Sequence, residues 1–181
     1  MKQLWNFLFF QLGWFLCIFG AANHHIVWPV LIVIAYIILY ISCSETPSKE
    51  ITLIFKVIIY GVSADTLLIQ SEILRFEESW PLPGISPIWM WGLWATLATT
   101  LNSSMSWMKE RYALAGVMGA VCGPLSYIAG ISLGGGEWLS QKVGIVVLAA
   151  IWGVAMPTFM YWAKKYILDK DTVFIYSSER V

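Results

Sequence analysis

The sequence predicts an all-α polytopic membrane protein, a bundle of six transmembrane helices with both termini in the cytoplasm. Three observations carry that expectation. Six apolar runs fill the chain almost end to end, at residues 4–22, 26–43, 51–74, 88–106, 112–133 and 143–163. The composition is 59% hydrophobic and only 12% charged, against about 25% charged in soluble domains. The basic residues, finally, cluster on alternate connections.

Each run is at or near the roughly 20 apolar residues that cross a bilayer. Lipid offers the backbone no hydrogen-bond partner, so a spanning segment must be a helix or part of a closed barrel. With 181 residues and a mean hydropathy of +0.70, the chain has room for one bundle and none for a second soluble domain. A soluble helical protein would need a wet face that these runs do not provide. Formal net charge is zero, which gives no global field for nucleic acid or for an acidic partner.

The first run begins like a secretory signal, with Lys2, an apolar stretch and small residues at Gly20-Ala21-Ala22. Trp5, Asn6, Gln11 and Trp14 interrupt it, and a retained span is expected instead. Asn23-His24-His25 then makes a tight outer turn into the second run. Before the third, Ser44 to Glu50 forms an inner loop containing Pro47, with Ser48 or Thr52 available to cap the helix. The outer loop from Arg75 to Pro87 is stiffened by Pro81, Pro83 and Pro87, and Glu72 is placed to pair with Arg75. The fourth run carries a polar stripe, Thr96, Thr99, Ser103 and Ser106, with Thr100, Asn102 and Ser104 beside it. The fifth has Gly119-x-x-x-Gly123, the spacing that lets helices approach closely, followed by Pro124, which should kink the helix and free carbonyls near Ser126 and Tyr127. After the turn at Gly134-Gly135-Gly136, the last run contains Pro157. The bundle is thus expected over residues 1–163, with a cytoplasmic tail at 164–181.

Orientation follows from Lys and Arg, which short cytoplasmic loops retain. With the N-terminus inside, cytoplasmic segments hold Lys2, Lys49, Lys109, Arg111, Lys164, Lys165, Lys170 and Arg180, and outer segments hold only Arg75 and Lys142. Lys56 snorkels back toward the inner side. Cys17, Cys43 and Cys122 lack metal-ligand spacing and fall at different depths, so neither a metal site nor a disulfide is expected. No cofactor motif is present.

Asp65 is the candidate functional residue of greatest interest. It lies about fifteen residues, or roughly 22 Å, along the third span, in the outer half of the membrane. A charged group at a helix centre costs roughly 2.5–3.5 kcal/mol on insertion and turns toward the bundle or water. Alternating spans bring Tyr127, Ser126, Trp91, Trp94 and the outer-turn residues His24 and His25 to a similar level, with Thr100 near mid-membrane. Their convergence would make an outward-facing pocket beneath the 80–87 loop. Either histidine could relay a proton or, with Asp65, serve an enzyme; Asp65 could equally be hydrogen-bonding glue between helices.

Several stretches carry a resemblance: Asn6-x-x-x-Phe10-Gln11-x-x-Trp14, Trp28-Pro29, Asp65-Thr66-Leu67, Trp94-Ala95-Thr96-Leu97-x-x-Thr100-Leu101-x-x-Ser104-x-x-Trp107, and Gly116-x-x-Gly119-x-x-x-Gly123-Pro124-Leu125-Ser126-Tyr127-x-x-Gly130. Over nearly its whole length the chain resembles a domain-of-unknown-function family of small bacterial inner-membrane proteins. The resemblance implies a multi-pass protein of the bacterial inner (cell) membrane and no particular activity. Three function classes follow. In the first, the bundle binds or transports a small amphiphilic or lipid-like ligand through the pocket around Asp65. In the second it is the substrate-binding subunit of a multi-component importer, docking a membrane partner subunit through the fifth span; a homo-oligomer is the alternative assembly. The third is an intramembrane lipid-modifying enzyme.

Overall fold

The computed structural model describes the backbone of residues 2–178 and the side chains of residues 3–165. Six α-helices account for almost all of it: α1 (Lys2–Ala22), α2 (Val27–Ser42), α3 (Pro47–Gln70), α4 (Ile88–Leu101), α5 (Tyr112–Ser132) and α6 (Gln141–Ser178). A two-stranded antiparallel ribbon joins β1 (Leu74–Phe76) to β2 (Gly136–Trp138) at one end of the bundle. Four helices, α1, α3, α5 and the Gln141–Lys165 part of α6, are long and apolar enough to cross a membrane, and α2 is apolar but only 16 residues long. Their outward faces are greasy: Trp28, Ile38, Phe55, Val117 and Val146 all project from the surface. Soluble proteins rarely expose contiguous apolar surface on this scale.

The sequence placed the fourth helix at 88–106, but it stops at Leu101. Asn102–Met105 turns out of the helix, and a short 3-10 turn follows at Ser106–Met108. Amide and hydroxyl side chains that compete with backbone hydrogen bonds crowd that segment, and they favour turns. At 14 residues, or about 21 Å, α4 is shorter than a hydrocarbon core. Its position explains the tolerance. Every α4 residue except Ile88, Trp91 and Gly92 is buried, because α1, α2, α3 and α6 pack around it.

Other terminal details also differ from expectation. Pro47 opens α3 at its first turn, and Thr46 precedes it without a side-chain cap; the Thr52 hydroxyl donates back to the Ser48 carbonyl instead. Residues 71–74, expected to finish the third span, lie beyond its end. Glu72 takes a positive φ of 53° there, and Arg75 pairs across the ribbon with Glu137 (2.7 Å) instead of with Glu72. Lys56 places its ammonium over the Trp162 ring, 5.5 Å from the centroid. The expected tail at 164–181 begins inside α6, whose backbone runs on to Ser178. Lys170, the Val173–Tyr176 stretch and Arg180 lie outside the residues whose side chains are described.

The small-residue face of α5 is filled by α6. A Cβ on Gly119 would meet the Trp152 carbonyl at 2.3 Å, and one on Gly123 would meet the Trp152 ring at 2.2 Å. That face is therefore consumed inside the chain, where the sequence had offered it to a partner subunit. Pro124 sits inside a helix that continues through it, and the neighbouring Gly123 carbonyl accepts the Ser126 hydroxyl (2.7 Å).

A buried carboxylate and two cavities

Asp65 is completely buried, between α3, α4, α5 and the loop at 77–87. Its Oδ2 accepts from Trp94 Nε1 (2.8 Å) and from the Ser86 hydroxyl (3.2 Å), and its Oδ1 accepts from the Tyr127 hydroxyl (2.5 Å). The seat for this arrangement is one helical turn earlier. Gly61 stands four residues before Asp65 on the same face of α3, and a Cβ there would lie 2.0 Å from the Trp94 ring. Only glycine leaves room for the indole to slide against α3 and aim its N–H at the carboxylate. Trp152 stacks on the other face of Trp94, with ring centroids 4.8 Å apart.

The loop above is fastened by the same group of residues. Besides the Ser86 hydroxyl on Asp65, the Ser86 amide donates to Thr66 Oγ1 (3.1 Å), Trp91 Nε1 to the Ser86 carbonyl (2.8 Å), and Gln70 Nε2 to the Gly84 carbonyl (2.8 Å). Trp89 Nε1 reaches the Glu77 carbonyl (3.0 Å). Burying a carboxylate is costly unless its lone pairs are satisfied. Here three donors from three separate segments satisfy them, and this end of the bundle closes around the carboxylate.

The candidate residues thus separate. Asp65, Trp94 and Tyr127 meet directly. Ser126 joins Trp94 and Tyr127 in the wall of a small apolar cavity of about 90 Å³, which also touches Trp14, Trp89 and Trp152. Asp65 lies behind that wall and lines neither cavity. Trp91 is spent on Ser86. Thr100 is buried and donates to the Leu97 carbonyl of its own helix (2.6 Å). Both histidines are exposed: His24 takes the left-handed conformation (φ 57°) after α1, and its Nδ1 lies 2.6 Å from Glu78 Oε1. Neither is a hydrogen-bond partner of Asp65, so the expected proton-relay grouping is not assembled. Among the described residues no cluster of three His, Cys, Asp or Glu side chains could hold a metal ion.

The larger space lies elsewhere, in the other half of the bundle. A cleft of about 740 Å³ opens between α1 and α2, floored by α4. Its wall changes character along its length. Toward the middle of the two helices it is lined by Leu12, Leu16, Ile32 and Val33; at the end formed by the start of α1 and the end of α2 it presents Asn6, Tyr36, Tyr40, Ser44, Asn102 and Ser103. Asn6, which interrupts the first apolar run in the sequence, organises that end. Its Nδ2 donates to Tyr36 (2.9 Å) and Thr99 Oγ1 (3.2 Å), and its Oδ1 accepts from the Ser104 hydroxyl (2.8 Å). Directly behind Asn102 sits Glu50, buried in the first turn of α3, whose Oε1 accepts from Asn102 Nδ2 (3.0 Å). Glu50 Oε2 and Asn102 Oδ1 are also buried and have no partner among the described residues. Tyr40 and Lys109 face the same carboxylate, and burial pushes the Lys109 ammonium below its ordinary range while the Glu50 charge pulls it upward. The sequence does not single out Glu50 or Tyr40, since one falls at the end of the expected 44–50 loop and the other inside the apolar run at 26–43.

Long apolar helices around a buried polar centre define a helical membrane protein. The chain belongs to the DUF2878 family, described as a protein of unknown function, which it matches over residues 3–158. No curated protein and no solved structure matches it.

Proposed function

We propose that the chain is a multi-pass protein of the bacterial inner membrane, with six spans and both termini cytoplasmic, that holds a small amphiphilic or lipid-like ligand in the α1–α2 cleft. The observation that carries this reading is the polarity gradient along the cleft. Apolar walls at mid-membrane suit a hydrocarbon tail, and the Asn6–Tyr36–Asn102 end suits a head group at the cytoplasmic surface. Its volume of about 740 Å³ lies within the roughly 300–1,000 Å³ of ordinary ligand sites, whereas about 90 Å³ beside Tyr127 is too small for such a molecule. The site proposed is therefore inward-facing, and the Asp65 centre supports the scaffold without touching the ligand. The topology rests on the basic residues, and α2 and α4 complete the six spans because α4 is wrapped by protein and the bilayer can thin around a short helix.

Two experiments test this reading. Mass spectrometry of gently solubilised protein should find a co-purifying amphiphile that is lost in Ala35→Trp, which fills the cleft from its exposed rim; equal lipid content in both proteins would reject the cleft. In a background free of native cysteines, a cysteine at Gly135 should label from outside and one at Lys170 from inside. The reverse pattern would overturn the orientation.

A further inference from the structure

Glu50 and Asn102 leave two buried acceptors without a donor at the head-group end of the cleft. Buried polar atoms in native proteins are nearly always paired, and those that are not mark a missing partner. Both orphans here are oxygens, so the missing partner is a donor. Asn102 stands in the cleft wall with Glu50 immediately behind it, so both oxygens lie at the head-group end, within one side chain of the cleft. Tyr40 lines the same end, beside the Glu50 carboxylate. Lys109 faces Glu50 from the connection before α5, yet among the described residues the two form no ion pair. An acceptor pair with an ammonium beside it matches a head group that carries both charges.

We infer that the cleft selects a head group with a primary ammonium next to a phosphate, the ammonium donating to Glu50 Oε2 and Asn102 Oδ1 and the phosphate facing Lys109. This inference rests on the cleft being the ligand site and adds the class of ligand. A primary ammonium has three N–H donors; a quaternary ammonium has none, and a glycerol head lacks the charge.

The test is thermal unfolding of the purified protein in detergent, titrated with phosphatidylethanolamine, phosphatidylcholine, phosphatidylglycerol and water-soluble phosphoethanolamine. Phosphatidylethanolamine should raise the melting temperature by several degrees, the other two lipids by less than a third of that. Phosphoethanolamine would do the same only if the tail adds little. Glu50→Gln keeps the oxygen that accepts from Asn102 and so the fold, but should abolish the preference among lipids; Lys109→Gln should weaken it severalfold. Equal stabilisation by all three lipids, lost in Ala35→Trp, would overturn the head-group inference while leaving the cleft in place. No stabilisation by any of them would remove both. A preference that survives Glu50→Gln would place the recognition elsewhere.

Discussion

Replacing Asp65 with leucine should cost the protein far more than replacing it with asparagine. Leucine removes the acceptor for Trp94 Nε1, Ser86 Oγ and Tyr127 OH together, and each becomes a buried donor with no partner. A stranded donor costs about 1–3 kcal/mol, so the three add to roughly 5 kcal/mol. Asparagine can set its carbonyl where Oδ2 stands, keeping Trp94 and Ser86, and its amide can donate to a Tyr127 hydroxyl that rotates to accept. Its loss is about 1–2 kcal/mol, the difference between a charge-assisted and a neutral bond. With about 2–4 °C of melting temperature per kcal/mol for a chain of this size, Asp65→Leu should melt roughly 10–20 °C lower and Asp65→Asn only a few degrees lower. Tryptophan fluorescence in mild detergent is a suitable readout, since Trp94 contacts the carboxylate directly. If Asp65→Leu melts with the parent protein, the carboxylate does not hold this end of the bundle together. Equal damage from both substitutions would mean that charge, not hydrogen-bond acceptance, is what the site requires.

Gly61→Ala should destabilise by about 1–3 kcal/mol, because its Cβ enters the Trp94 ring, whereas Gly13→Ala, whose Cβ meets only ordinary contacts at 3.5 and 3.9 Å, should be neutral or slightly stabilising; parallel melting curves decide. Asn6→Leu should cost about 1–3 kcal/mol by stranding the Ser104 hydroxyl, while Tyr36 and Thr99 keep each other as partners, and a variant as stable as the parent would show that this network is replaceable. Arg75→Ala removes an exposed ion pair, and its melting temperature should stay within about 2–4 °C of the parent's at moderate salt. A larger drop would show that the ribbon depends on that pair.

Hydropathy marked all six helices because burial in lipid or in the bundle makes the same demand on side chains. It could not tell the two environments apart, and so α4 was extended into Asn102–Ser106 as though it faced lipid. The β1–β2 ribbon left no trace in the sequence: three-residue strands are too short for an alternating pattern, and their pairing joins segments some sixty residues apart. Asp65 was legible because a carboxylate inside an apolar run needs partners, and matching depths pointed to Trp94 and Tyr127. Depth carries no information on rotation about a helix axis. That is why Trp91 and Thr100 turned to other partners, and why Ser86, on the loop, was missed. A signal for the inner site did exist in Asn6, since an amide within a span seeks bonds across helices. Tyr36, Tyr40 and Glu50 gave none, each being ordinary where it stands.

The enclosure of α4 decides which parts of this chain can drift. A lipid-facing position asks only that a residue be greasy, so Ile34 and Ile38 on α2 should accept almost any aliphatic replacement. Ala98, sealed on all sides by protein, admits neither a larger apolar residue nor a polar one. A saturation scan of the chain would then separate two kinds of apolar helix that hydropathy treats as one. Outer helices would be filtered by chemistry alone, and the central helix by shape, so α4 would hold its sequence most tightly although it meets the membrane least.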